Sequence, residues 1–180
     1  MVTHNRAPLY VLFAFCFALS AESIAGLKWA APAGWKNLGS QTMRAATYSV
    51  PAAPGDSGQA ECVVYFFGKG QGGPVDANID RWKSQFQTPD GKPAPAKIGM
   101  RTIHGLPVTT IDVSGNYSGM GGPLADAKSS VPGYRLLGAI LVNPGGNIFL
   151  KFTGPAKTVA ANQVKFEQLL SSFAPDPARP

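Results

Sequence analysis

Val75, Ile79, Trp82 and Phe86 fall within one narrow arc when successive residues are turned by about 100°. That spacing predicts a helix with one apolar face. Pro74 suits its first turn, Asp76 and Asp80 suit its positive end, and Pro89, Asp90 and Gly91 end it. A second helix is predicted near the C-terminus. There Val159, Phe166, Leu169, Leu170 and Phe173 share a face, Asn162 lies at its edge, and Gly154-Pro155 marks the start.

Other stretches carry no helical period. Glu61 to Phe67 is almost unbroken in apolar character, which predicts a strand buried on both faces. Tyr134 to Val142 has the same character, and Gly138 within it lets a side chain from a covering helix come close. Asn143-Pro144-Gly145-Gly146 turns this strand into Asn147 to Thr153, which Lys151 marks as the more exposed partner. Arg44 to Val50, Lys97 to Ile103 and Val108 to Ser114 complete the expected strands, with Asp112 on the face opposite Ile111. Gly115 to Gly133 is the longest stretch expected to be irregular. Short turns between most strands predict a mainly antiparallel sheet. The fold class expected is α+β: about six strands covered by two helices, an α/β/α sandwich.

The leading segment reads as an export signal. Arg6 precedes an apolar run, Leu9 to Leu19, too short to span a bilayer, and small residues follow at Ser23-Ile24-Ala25. The expected division is a secretory signal over 1–25, one domain over 26–174, and a disordered proline-rich tail over 175–180. Localisation would then be periplasmic or secreted, with the membrane met only during export. Removal of the signal leaves Cys62 as the single cysteine, so no disulfide within the mature chain is expected. Its apolar surroundings predict a buried structural thiol. His104 is then the single histidine, and no cluster of His, Cys and carboxylates offers a metal site.

Composition narrows the classes. The chain has 180 residues, 44% hydrophobic and 14% charged, with 21 glycines and 16 prolines. Its formal charge of +6 comes from scattered lysines and arginines, which argues against a nucleic-acid stripe and leaves weak attraction to anionic surfaces as one alternative. The glycine run before the first helix lacks the spacing of a phosphate loop, since its lysine, Lys69, precedes the Gly72-Gly73 pair. It is read as a flexible strand-to-helix connection.

Beside the apolar stripe of the first helix, Asn78, Arg81 and Gln85 form a polar one. Arg81 has no carboxylate three or four residues away, so its partner lies elsewhere: Asp112, a backbone carbonyl or a bound anion. A staple between helix and sheet is the default role, and a ligand contact the other. The candidate partner-binding rim is Gly72, Gly73, Asn78, Arg81 and Gln85, with Tyr117 and Met120 from the long loop. The competing chemistry is a hydrolase or isomerase with His104 and Asp112 as an acid–base pair. They belong to a turn and to the body of the next strand, too far apart for a contact of about 3 Å in a simple hairpin.

The order of elements resembles the PsbP/Mog1-like fold. Trp29-Ala30-Ala31-Pro32-Ala33-Gly34-Trp35 at the start and the Gly154-Pro155 helix with Phe166, Leu169, Leu170 and Phe173 at the end carry the resemblance, over about residues 28–174. The pattern Gly72-Gly73, Asn78, Arg81-Trp82, Gln85 is also similar to one in exported bacterial proteins of unknown function. The resemblance implies a non-catalytic adaptor or assembly factor, binding a protein or envelope component without a cofactor. It carries over no catalytic residue.

Overall fold

The computed structural model describes residues 21–56, 58–119 and 130–177. It begins with β1 (Ala21–Ile24) and β2 (Leu27–Ala30), followed by β3 (Lys36–Asn37), β4 (Arg44–Val50) and β5 (Ala60–Phe66). The first helix, α1 (Val75–Ser84), leads into β6 (Phe86–Gln87), β7 (Ala96–Ile103) and β8 (Leu106–Tyr117). Then come β9 (Val131–Leu141), β10 (Ile148–Pro155), α2 (Ala156–Ala161), α3 (Gln163–Ser171) and β11 (Ala174–Pro175). The class is α+β, as expected. The main sheet has eight strands in the order β3-β4-β5-β10-β9-β8-β6, with β7 also on β8, and a separate three-stranded sheet runs β1-β2-β11. The extra strands are short pieces such as β3 and β6, two residues each, which leave no periodic signature.

Both strands expected to be central are central. β5 and β10 pair, and β10 pairs β9, all antiparallel. Alternation then splits the apolar residues between two cores. On one face Cys62, Val64, Leu137, Leu150 and Phe152 meet Val159, Phe166, Leu169 and Phe173 of the C-terminal segment. On the other, Ile111, Leu136, Ile140 and Phe149 meet Ile79 and Trp82 of α1. Trp29 stacks on Phe173 at 5.0 Å and Trp35 leans on Phe152 at 5.1 Å, so the N-terminal segment covers the first of these cores with aromatic rings. Gly138 does admit a helix side chain: a Cβ built there would lie 2.7 Å from the Trp82 ring.

Several boundaries differ from expectation. The first helix stops at Ser84, and Phe86 reaches the same core from β6. Gly154-Pro155 closes β10 and Pro155 also caps α2, as the expected helix start requires, but the C-terminal helix is broken at Asn162, whose Oδ1 accepts from Trp35 Nε1 at 3.1 Å. Gly115–Tyr117 and Val131–Gly133 belong to β8 and β9, so pairing across the sheet claims both ends of the stretch expected to be irregular. Ala21–Ile24, inside the expected signal, pairs with β2, and the Glu22 carboxylate accepts hydrogen bonds from the Tyr48 hydroxyl and the Asn37 amide. Residues 1–20 and Met120 lie outside the described residues. Pro175, expected to open a tail, pairs with Leu27, and the Asp176 amide donates to the Gly26 carbonyl at 2.8 Å.

Candidate functional site

The end of α1 and the start of β6 bring a polar cluster onto the α1 face of the sheet. Its centre is Lys151, the residue expected to mark an exposed strand. That expectation is corrected: β10 lies between β5 and β9, and Lys151 is only 6% exposed. Position in the strand sets its direction, since Lys151 shares the face of Phe149 while Leu150 and Phe152 point to the other core. Lys151 stands opposite Gly138 on one side and Val63 on the other. Neither neighbour supplies a polar partner from its side chain.

The partners come from elsewhere. Lys151 Nζ donates to Gln85 Oε1 at 2.8 Å and to the Tyr117 hydroxyl at 3.1 Å. Gln85 caps the end of α1 and turns inward. β6 then pairs Phe86 with Tyr117, and Ser118 donates to the Gln85 carbonyl through both its amide (3.0 Å) and its hydroxyl (3.1 Å). Tyr117 is held between Phe86 at 4.9 Å and a parallel Tyr134 ring at 5.6 Å. The ammonium thus meets two neutral acceptors, and among the described residues it makes no ion pair. Burial and then the Arg81 charge bring its pKa down to about 8, against a weaker opposing pull from Glu61. Burial likewise pushes the Tyr117 hydroxyl up to about 12, so it remains protonated beside the lysine at neutral pH.

Arg81 lies at the mouth of this cluster. Asn78, one turn earlier and 2% exposed, accepts from Arg81 through its Oδ1. The Asn78 amide donates at 2.8 Å to the carbonyls of both Gly72 and Pro74, which pins the glycine loop to the helix. Gly72 has φ +90° and a Cβ there would lie 2.8 Å from the Phe149 ring, so its place is structural. Gly73, with φ +78°, is exposed beside it. Arg81, Lys151, Tyr65, Phe67, Trp82 and Phe149 surround a recess of about 30 Å³.

Of the rim read from the sequence, Gly72, Asn78, Arg81, Gln85 and Tyr117 therefore meet in one place. Lys151 and Tyr65 were missed. A lysine inside Ile148-Phe149-Leu150-Lys151-Phe152 was the available signal. Its interpretation turned on whether the strand was central.

Asp112 is not the partner of Arg81. It points to the face opposite α1, where both its oxygens accept from Arg135, at 2.8 and 2.7 Å. That hydrogen bonding holds the Arg135 pKa above its ordinary value. His104 lies at the turn between β7 and β8, with Nδ1 2.8 Å from the Phe173 carbonyl oxygen. The two residues are engaged separately and form no acid–base pair.

Solved structures match this chain across most of its length. One is a Pseudomonas aeruginosa protein of unknown function, with 13% identity and a TM-score of 0.49, covering 88% of this chain and 97% of the other. Another is the cyanobacterial PsbP protein of Synechocystis sp. PCC 6803, with 10% identity and a TM-score of 0.49, covering 84% and 88%. A PsbP-like chain path was the resemblance read from the sequence. Both likenesses are of fold at low identity, and neither carries a function to this chain. The sequence matches no protein-family model and no curated protein. Among the described residues, no helix is long and apolar enough to cross a membrane.

Proposed function

We propose that this is an exported, non-catalytic recognition module, and that its partner, an envelope or secreted component, engages the rim around Arg81 and Lys151. The observation that carries this reading is the state of Lys151. A buried ammonium held by neutral groups alone is costly, and a fold keeps such a group where it serves a contact. Arg81 stands next to it, exposed, with an uncharged side chain as its partner. The polar groups an acid–base mechanism would draw on, His104 and Asp112, are bound to other parts of the fold.

Arg81→Ala tests the reading. Arg81 is exposed and lies near the end of α1, but it is the donor to the buried Asn78 Oδ1, so its loss is expected to lower the melting temperature by about 2–4 °C, on the order of 1 kcal/mol. Capture of the partner from envelope extract should be lost. A large drop in melting temperature with capture intact would make Arg81 a staple and defeat the proposal.

A further inference from the structure

The recess between α1, β5 and β10 has a definite chemistry. Its walls are the rings of Tyr65, Phe67, Trp82 and Phe149, and its polar ends are Arg81 and Lys151. Lys151 has three N–H donors and gives two of them to Gln85 and Tyr117. Arg81 gives Nη2 to Asn78 and carries further donors on its guanidinium. Two cations therefore border one small space with unspent donors, and the described carboxylates are not ion-paired with either of them. The rings exclude water from the sides, which strengthens a charge-assisted hydrogen bond made inside.

Size limits the occupant. A recess of about 30 Å³ takes a group of two or three heavy atoms, whereas a phosphoryl group is larger. Planarity limits it further, since a guanidinium offers a flat fork that matches a carboxylate. We propose that the recess binds a single carboxylate group, supplied by an acidic side chain of the partner polypeptide. Arg81 meets it from the rim and Lys151 from the floor. This deepens the recognition reading given above and rests on it.

Charge around the floor sets when binding works. Arg81 from α1 and Arg44 from β4 disfavour a charged Lys151, and Glu61 from β5 favours it; Tyr65 and Tyr117 face the site as neutral phenols. An entering carboxylate adds the missing counter-charge, so binding should be accompanied by proton uptake near pH 8.

The experiment uses the folded chain and three probes: sodium acetate, inorganic phosphate, and the doubly capped peptide Gly-Glu-Gly with its Gly-Gln-Gly counterpart. Backbone and arginine side-chain NMR signals report binding. Acetate is expected to move the signals of α1 and β10 saturably, with affinity on the order of millimolar for so small a ligand. Phosphate should not. The Glu peptide should bind at least as tightly as acetate and the Gln peptide should leave the signals in place. Arg81→Gln, at an exposed position, should weaken acetate at least about tenfold, and Lys151→Met should abolish it. Absence of saturation, equal binding of phosphate, or unchanged affinity in Arg81→Gln overturns the proposal. Acetate binding without Glu-peptide binding overturns the polypeptide source and leaves a free small carboxylate as the ligand. If envelope capture is lost in Arg81→Gln while neither acetate nor the Glu peptide binds, the carboxylate site falls and the recognition reading stands; if capture survives Arg81→Gln, both fall.

Discussion

Gly138→Ala isolates the contact that seats α1 on the sheet. Gly138 lies in β9 and its backbone is outside the left-handed region, so alanine meets no conformational penalty there. What it meets is bulk. An added Cβ would lie 2.7 and 2.8 Å from two atoms of the Trp82 ring and 2.8 Å from Ile111 Cγ2. Trp82 is 3% exposed and Ile111 2%, so neither has free space to retreat into. Overpacking of this kind costs about 3 kcal/mol at the upper end of its range. Replacing glycine returns about 0.5–1 kcal/mol through the unfolded chain. The net loss is about 2 kcal/mol, a fall of about 4–8 °C in melting temperature for a chain of this size. Urea unfolding should show a lower midpoint with an unchanged slope. Gly58→Ala is the control, since no atom lies within 4 Å of its added Cβ, and it should leave stability level or slightly raised. Trp82→Phe combined with Gly138→Ala should recover about 1 kcal/mol relative to the sum of the single changes. A Gly138→Ala protein within about 0.5 kcal/mol of wild type, or strict additivity of the pair, would refute the packing account.

Three further outcomes follow from Lys151 and Glu22. Lys151 titrates at about 8 when folded and near its ordinary value when unfolded, so the unfolded chain holds more protons between these points and the lysine's contribution to stability rises with pH from about 8 to about 10. Cys62, whose thiol burial pushes up, acts in the opposite sense above about pH 8.5, so the quantity to measure is the difference between wild type and Lys151→Met in urea unfolding across this range; a flat difference would place the ammonium in water. Ala18-Leu19-Ser20 puts small residues three and one positions before Ala21, and Glu22 serves the folded body, so under the export proposal the mature form is expected to begin at Ala21 by intact mass. A form beginning at Gly26 should lose about 1–3 kcal/mol, because the buried Tyr48 hydroxyl loses its acceptor and β1 is gone; equal stability would show that Glu22 contributes nothing.

The parts of the fold that were legible are those where one physical cause acts locally. Unbroken apolar runs placed β5 and β9 in the middle of the sheet, because a strand buried on both faces offers few positions to polar groups. The Trp82 stripe placed α1, and glycine at 138 announced the close approach that the stripe requires. Ends of elements were not legible, because competing structures satisfy the same residue. Phe86 lies on the apolar arc of a longer helix, yet it reaches the same core from a two-residue strand. Ending the helix at Ser84 frees Gln85 to turn inward and frees the β6 backbone to pair with β8.

That early ending is what makes the cluster. Gln85, the residue that ends α1, is buried and brings its Oε1 to Lys151 Nζ, while the next two residues pair with β8 and bring Tyr117 to the same ammonium. Asp112 shows the same limit from the other direction. Its face was read correctly from alternation with Ile111, but the face that α1 covers is a property of the whole sheet, and α1 covers the Ile111 side. Arg81 is thereby kept from Asp112 and bonds Asn78, and Asp112 is left to Arg135. Topology thus leaves Arg81 and Lys151 side by side on the α1 face, neither of them in an ion pair among the described residues and with only a weak pull from Glu61 on the lysine, while Asp112, the carboxylate expected for Arg81, lies on the other face. Restoring a counter-charge on the α1 face should therefore relieve the lysine, which is the same condition an incoming carboxylate would meet.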